Sequence, residues 1–384
     1  MNTKNICFKG NSDTYDEYMD FINYVFGFNG NTKDFKKLLP KLYNREYNPV
    51  ENNYVIYENK KIVATIGAYD NEIEVCKNKL TCRGIGNVAV HPYHRSQGYM
   101  RECMNTAIND MIKDGIHFSA LGGRRQRYNY FGFEKTGISY NFSINADNIR
   151  HNLKNCGTGF QINEIGRTDT DAINSVHRLI QSGPYVTLRP YNMLFDIMFS
   201  WQARIFAAYD KDRFIGYCIL DGNNISEINT YNKNDCLGIV VSLYNALSLS
   251  SLTVSIPEFE QNYIKQLYRF CEWSDISSPC MFNIFRYREV ISAFMKLKAS
   301  YCNLAKGEIK LLIHGIAKDE CIKISCENND FSVENTDGEY QFELSHIEAM
   351  NFLFAPICPL RVNRILSNIN WFPLPLWLYH ADAV

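Results

Sequence analysis

Residues 86–104 read Gly86-Asn-Val-Ala-Val-His-Pro-Tyr-His-Arg-Ser-Gln-Gly-Tyr-Met-Arg-Glu-Cys-Met104. Val88, Ala89 and Val90 form a short apolar run of strand type. Pro92 cannot donate to a sheet ladder, so His91 and Pro92 end that strand. Arg95-Ser-Gln-Gly98 follows, and a helix is predicted from about Met100 to Asp114, with Met104, Ala107, Ile108 and Met111 on one face. A strand that opens into a helix through a basic, glycine-containing loop is built to receive a phosphate. Backbone N–H groups and the positive end of the helix dipole both face the anion. Gly98 lets the chain approach it without a Cβ in the way.

The pattern Val-x-Val-x-Pro-x-x-Arg joined to Arg-x-x-Gly-x-Met resembles motif A of the GNAT-type N-acetyltransferases. The resemblance implies that acetyl-coenzyme A is the cosubstrate. Its arm would lie along Val88, Ala89 and Val90, and its diphosphate on Arg95, Ser96, Gln97, Gly98, Tyr99, Met100 and Arg101. Met100 departs from the small residue usual at that place. A bulky apolar residue there is similar to the subgroup of enhanced intracellular survival (Eis) proteins. A second segment, Tyr128-Asn-Tyr-Phe-Gly-Phe133, resembles the family's Tyr-x-x-x-Gly-Phe. Tyr128 precedes the glycine by four and Tyr130 does not. The resemblance implies that Tyr128 protonates the departing thiolate. A phenol with an ordinary pKa near ~10 still holds its proton at neutral pH.

Composition sets outer limits. A chain of 384 residues is suited to two or three domains, and 46% hydrophobic residues can fill sizeable cores. A net charge of −1 gives no general attraction to nucleic acid or anionic membranes, and no RNA-binding motif is present. The 13 cysteines include no Cys-x-x-Cys pair, and Cys321 and Cys326 are the closest two. Scattered cysteines in odd number, with no signal peptide and no apolar run of about 18 residues, lead us to expect reduced thiols in a cytoplasmic protein. No metal site is expected: His91 and His94 lack a carboxylate partner at ligand spacing.

Along the chain, Tyr15 to Phe26 has helical spacing, broken by Phe26-Gly-Phe-Asn-Gly-Asn31. Asp34 to Leu39 reads as a short helix closed by Pro40. In the resembled family this region borders the acceptor pocket, so Asp16, Glu17, Asp20 and Asp34 are candidates to attract a cationic amine or else form a solvated face. Tyr54–Tyr57 and Ile62–Ala68 form a hairpin. Phe118–Gly122 is a strand, and Arg124, Arg125 and Arg127 lead to Tyr128 as partners for coenzyme phosphates, for the last carboxylate or for solvent.

The pattern changes near Asn148, with a loop over Asn152–Gly159 and a helix over Thr168–Gln181. Phe206–Tyr217 then echoes Tyr54–Thr65, Tyr209 falling beside Tyr57, which suggests a second copy of the unit. Its strand Ser251–Ile256 meets a helix over Phe259–Cys271 at Pro257-Glu-Phe-Glu260, two acids unsuited to a phosphate. A helix over Val290–Met295, three strands from Gly307 to Asn335 and a Ser345-x-x-Glu348 helix start resemble the sterol carrier protein fold that ends the Eis proteins. The expectation is an α+β protein of mixed sheets: a catalytic GNAT domain (1–147), a degenerate GNAT-like domain (148–288) and a sterol-carrier-protein-like domain (289–384).

The tail Trp371–Val384 is apolar and aromatic and should pack. The resemblance implies that the carboxylate of Val384 enters the first domain and accepts the amine proton, against a plain covering role with Asp382 solvated. The reaction expected is acetyl transfer to an amine in a direct ternary complex. The acceptor is a small molecule, or a peptide or protein amine, and the resembled proteins form hexamers. The non-enzymatic alternative is a coenzyme-sensing or lipid-carrying protein on the same scaffold.

Overall fold

The computed structural model describes residues 7–28, 30, 34–154, 156, 159–362 and 369–384. The polar start Met1–Asn5, and parts of the expected break at Phe26–Asn31 and loop at Asn152–Gly159, lie outside these residues. Three sheets, each mixed in strand direction, organise an α+β fold.

The eight-stranded sheet is built on one long hairpin. Strand Lys61–Val75 turns at Cys76 and Lys77, both at positive φ, and returns as Asn78–Val90. The first arm is buried without a break from Ile62 to Tyr69, whereas the returning arm alternates buried and half-buried positions from Leu80 to Gly84. Phe118–Leu121 pairs parallel to the returning arm, reached through the helix Tyr99–Lys113. That helix buries Cys103, Met104, Ala107, Ile108 and Met111, the apolar stripe legible in the sequence.

The seven-stranded sheet repeats the plan. Arg204–Asp210 and Arg213–Asp221 form a hairpin, Asn224–Thr230 follows antiparallel, and Ser251–Pro257 runs parallel after the helix Cys236–Ala246. The echo is structural: each hairpin has a bulge just before its aligned tyrosine, at Ile56/Tyr57 and at Ala208/Tyr209. The third sheet holds the meander Gly307–His314, Asp319–Glu327 and Asp330–Asn335, with Phe342–Ser345 parallel to its first strand. Ser345 and Glu348 make the expected capping box at the start of the helix His346–Phe354.

Several expectations need correction. Pro40 does not simply close a helix; it opens the next one, Pro40–Tyr43, at a position where its missing N–H costs nothing. The loop expected from Asn152 is helical through Leu153. The helix expected from Phe259 runs Gln261–Tyr268, and the one expected over Val290–Met295 extends over Tyr287–Ala299. In the repeat, the turn equivalent to Arg95–Gly98 is Tyr231–Asp235, because Asn224–Thr230 occupies the place of the Asn78–Val90 arm. Pro257–Glu260 instead follows the parallel strand, and its Glu258 and Glu260 pair with Lys298 and Lys233.

Strand pairing also crosses the expected domain limits. Ser139–Asn145 belongs to the second sheet, while Tyr185–Thr187 and Cys280–Ile284 belong to the first. Cys280–Ile284 sits between Phe118–Leu121 and Glu134–Thr136, so the first sheet is completed by a strand nearly 150 residues downstream.

Candidate active site

The Asn78–Val90 arm and its parallel neighbour stay paired only as far as Ile85 and Leu121. Beyond that point the strands part, and the Gly86–Val90 segment borders a wedge. On its other side, Gly86 pairs with Gly67 and Ala89 with Thr65, so Asn87 and Val88 together face Ile66. This is a bulge, with Asn87 at φ 54. The bulge interrupts the ladder on the hairpin side, and past Ile85 the opposite edge of the strand is no longer paired with Phe118–Leu121.

Two cavities meet there. The first, about 620 Å³, is lined by Val88, Val90, Arg95, Ser96, Gly98 and Tyr99, and by Met100 and Arg101. Ser96 and Gly98 take positive φ, and a Cβ placed on Gly98 would enter open space. No side chain caps the following helix at Gly98. Its first N–H groups are therefore not satisfied by a cap side chain, and Arg95 and Arg101 stand beside them. These residues fit a diphosphate. Two candidates stand apart. Ala89 is buried in the core beneath the helix Tyr15–Gly27, leaving only its backbone to the groove. The Gln97 side-chain amide lies 2.7 Å from the Tyr99 hydroxyl.

The second cavity, about 430 Å³, lies at the tip of the wedge and brings Gly86, Val88, Tyr128 and Val384 together. Val88 and Arg127 line both cavities, so the two are continuous in their walls. Tyr128 is 6% exposed and burial raises its pKa, with Arg127 opposing. The phenol therefore keeps its proton through neutral pH. Tyr130 is 65% exposed and lines only the diphosphate groove.

The turn carrying Tyr128 is held on both flanks. Buried Glu134 binds Arg125 through both oxygens and accepts from Asn129 Nδ2 at 2.8 Å. Asn283 Nδ2 donates to Phe131 O at 3.0 Å, and His346 Nε2 lies 3.0 Å from Gly132 O. Of the three arginines expected near Tyr128, Arg125 is thus structural and Arg127 faces the cavities.

Val384 arrives by a tail threaded through all three sheet regions. Trp371, Leu374, Leu376 and Trp377 are buried. Asp382, expected in solvent if the tail merely covered a core, is buried and receives Arg189 Nε at 2.8 Å and Nη2 at 2.9 Å. Arg189 also binds Glu227 at 2.8 and 2.7 Å. Lys41 Nζ donates to Ala381 O at 2.5 Å and Ala383 O at 2.7 Å. Burial draws Lys41 down to about 7, with Asp382 opposing and Arg189 reinforcing.

Val384 itself packs on glycines. A Cβ on Gly86 would lie 3.0 Å from the Val384 backbone carbonyl carbon, and one on Gly84 would lie 2.8 Å from Val384 Cγ2. Sequence reading missed Gly84, Gly86, Lys41 and Arg189. Their partners in the tail stand some 190 to 340 positions away, and no local pattern announces them.

The acids of the first helices do not converge on the wedge. Asp16 pairs with Arg45, Glu17 accepts from Ile62 N and Asp34 caps the next helix. His94 Nδ1 lies 2.8 Å from Glu58 Oε2, a partner too distant in sequence for ligand spacing to reveal. Glu58 also receives the Tyr99 hydroxyl, which ties the diphosphate turn to the hairpin. Among the described residues, no group of three or more His, Cys, Asp or Glu side chains converges as metal ligands do, and no helix is long and apolar enough to cross a membrane.

A parting parallel pair, a bulge and a basic turn into a helix define the first sheet. Residues 9–136 match the family model of the acetyltransferase (GNAT) domain. The wedge, both cavities' strand walls, the diphosphate turn and Tyr128 all fall inside the matched span; Val384 does not. Whole-chain folds agree. A GCN5-related N-acetyltransferase from Anabaena variabilis superposes with a TM-score of 0.67 at 14% identity, covering 98% of this chain and 99% of that one. A probable N-acyltransferase from Enterococcus faecalis gives 0.61 at 16% identity, covering 88% and 87%. Eis1 from Mycobacterium abscessus gives 0.57 at 9% identity, covering 89% and 87%. At such identities the likeness is one of fold. No curated protein sequence matches. The match over residues 9–136 supports acyl transfer as the general chemistry.

Proposed function

We propose that the protein transfers an acetyl group from acetyl-coenzyme A to an amine in a ternary complex. The observation that carries this reading is the meeting of Val88, Tyr128 and Val384 in one cavity, continuous with a basic groove at a helix N-terminus. Arg95, Arg101 and the N–H groups after Gly98 hold the diphosphate. A backbone N–H at the Asn87–Val88 bulge donates to the thioester oxygen as negative charge builds there.

The amine nitrogen bonds to the thioester carbon, and the carbon–sulfur bond breaks. Tyr128 gives its proton to the leaving sulfur, and solvent restores it. The Val384 carboxylate, directly or through water, takes the amine proton. A carboxylate with an ordinary pKa near ~3.5 is a weak base, so its main work is orientation. Arg189 and Lys41 act as positioning residues that hold the tail. The third sheet with its helices is a sterol-carrier-protein-like unit whose role is to present the tail and brace the Tyr128 turn through His346. The test is thiol release from acetyl-coenzyme A on adding a panel of amines. Release that depends on both the amine and Tyr128 supports the reading; coenzyme binding with no release on any amine favours a sensor.

A further inference from the structure

The reacting atoms of the proposed transfer meet in a cavity whose walls restrict the amine, and this inference rests on that reading. Phe35, Leu38, Leu39, Tyr43 and Trp201 line this cavity and not the diphosphate groove, while Phe26 lines both. Among the described residues that line it, the only charged groups are the Arg127 guanidinium and the carboxylate proposed at Val384. Of the helix acids that would welcome a polycation, Asp16 is engaged with Arg45, Glu17 with the Ile62 amide and Asp34 in a helix cap, and Asp20 does not line this cavity. A cavity of about 430 Å³ lies toward the small end of the ~300–1,000 Å³ usual for ligand sites.

We propose that the acceptor is a compact primary monoamine on an apolar, ring-sized body, and that the cavity turns polyamines away. One carboxylate matches one ammonium. A second ammonium would have to leave water for an apolar wall or face Arg127, and either is costly without a partner. Aromatic faces, by contrast, accept both a flat apolar body and a single passing cation.

Trp201 marks the far wall. It is held in the left-handed region at φ 67 and stacks on His380 of the tail, with centroids 5.6 Å apart. A bulky residue in that region is strained and persists where its surroundings fix it. Its buried Nε1 has no hydrogen-bond partner among the described residues. Such a donor suits an acceptor atom, such as a hydroxyl, on the ligand's body. A neighbouring cavity of about 390 Å³ does carry charge, from Lys41, Asp70, Glu72, Arg189 and Asp382. It touches Val384 but neither Val88 nor Tyr128, so it is not where the thioester is attacked.

The experiment measures thiol release by the full-length protein at saturating acetyl-coenzyme A with 2-phenylethylamine, tyramine, 1,4-diaminobutane and spermidine. The expected result is a kcat/KM for the two arylalkylamines at least tenfold above that for the diamine and the triamine. Leu38→Glu adds an acid to the wall and should shrink that ratio to below threefold. Trp201→Ala should raise the KM for tyramine about tenfold with kcat little changed. A wild-type preference for diaminobutane or spermidine overturns the inference and leaves acyl transfer standing. No release with any amine, while acetyl-coenzyme A still binds, removes the transfer reading and the inference with it.

Discussion

Tyr128 matters because it is buried and still protonated, a combination that gives a proton donor at neutral pH. Tyr128→Phe is expected to lower turnover by ~10²-fold or more with acetyl-coenzyme A affinity unchanged, read by steady-state kinetics beside calorimetric binding. Gly86 serves differently, by leaving room for Val384. Gly86→Ala should push the tail end aside, cutting activity by roughly tenfold or more while the thermal midpoint moves little, since the reacting groups must be held closely. His346 sets a pH dependence. Burial holds it down to about 4, against an ordinary value near ~6.5, so between those values the unfolded chain binds the proton and the native one does not. Stability should therefore fall as pH drops from ~6.5 to ~4, by an amount on the order of 3 kcal/mol, and level off below. Urea midpoints across that range check it, and His346→Gln should flatten the slope. Tyr128 was legible because its spacing to Gly132 is local. The glycines beneath Val384 were not, because a glycine's neighbour across roughly 300 positions leaves no trace in its own surroundings.

The hairpins, the helix behind the diphosphate turn and the capping box follow from period and punctuation, and all were readable in the chain. The bulge at Asn87 was not. It is set by the register across the hairpin, where two residues stand against Ile66, and the flanking Gly86 does not by itself announce it. The same limit explains the misplaced repeat: the strands Asn224–Thr230 and Ser251–Pro257 look alike in sequence, and only their partners tell them apart. The Tyr128 turn depends on Glu134, whose buried carboxylate serves both Arg125 and Asn129. Glu134→Gln loses the charge-assisted pair with half-exposed Arg125. The expected cost is ~1–3 kcal/mol in denaturant unfolding, with a fall in turnover larger than any change in coenzyme affinity.

Across the molecule, Arg189 joins three regions: it follows a strand of the first sheet, binds Glu227 of the second and holds Asp382 of the tail. All three groups are buried, so Arg189→Met leaves two carboxylates without their cation and should cost ~3–5 kcal/mol, read from unfolding midpoints. The chain's α+β class and repeated unit were visible in its sequence; the way strands are exchanged between sheets, and the clamp on the tail, arise only when distant segments meet. If the thioester is attacked where Val88, Tyr128 and Val384 converge, the carboxyl group of Val384 must stay where Gly86 admits it. The decisive comparison is the rate of thiol release from acetyl-coenzyme A and 2-phenylethylamine by the unaltered protein and by the protein with one glycine added after Val384. The expected result is a rate lower by ~10²-fold with coenzyme binding and folding unchanged; equal rates would contradict a role for that carboxylate and the meeting point built on it.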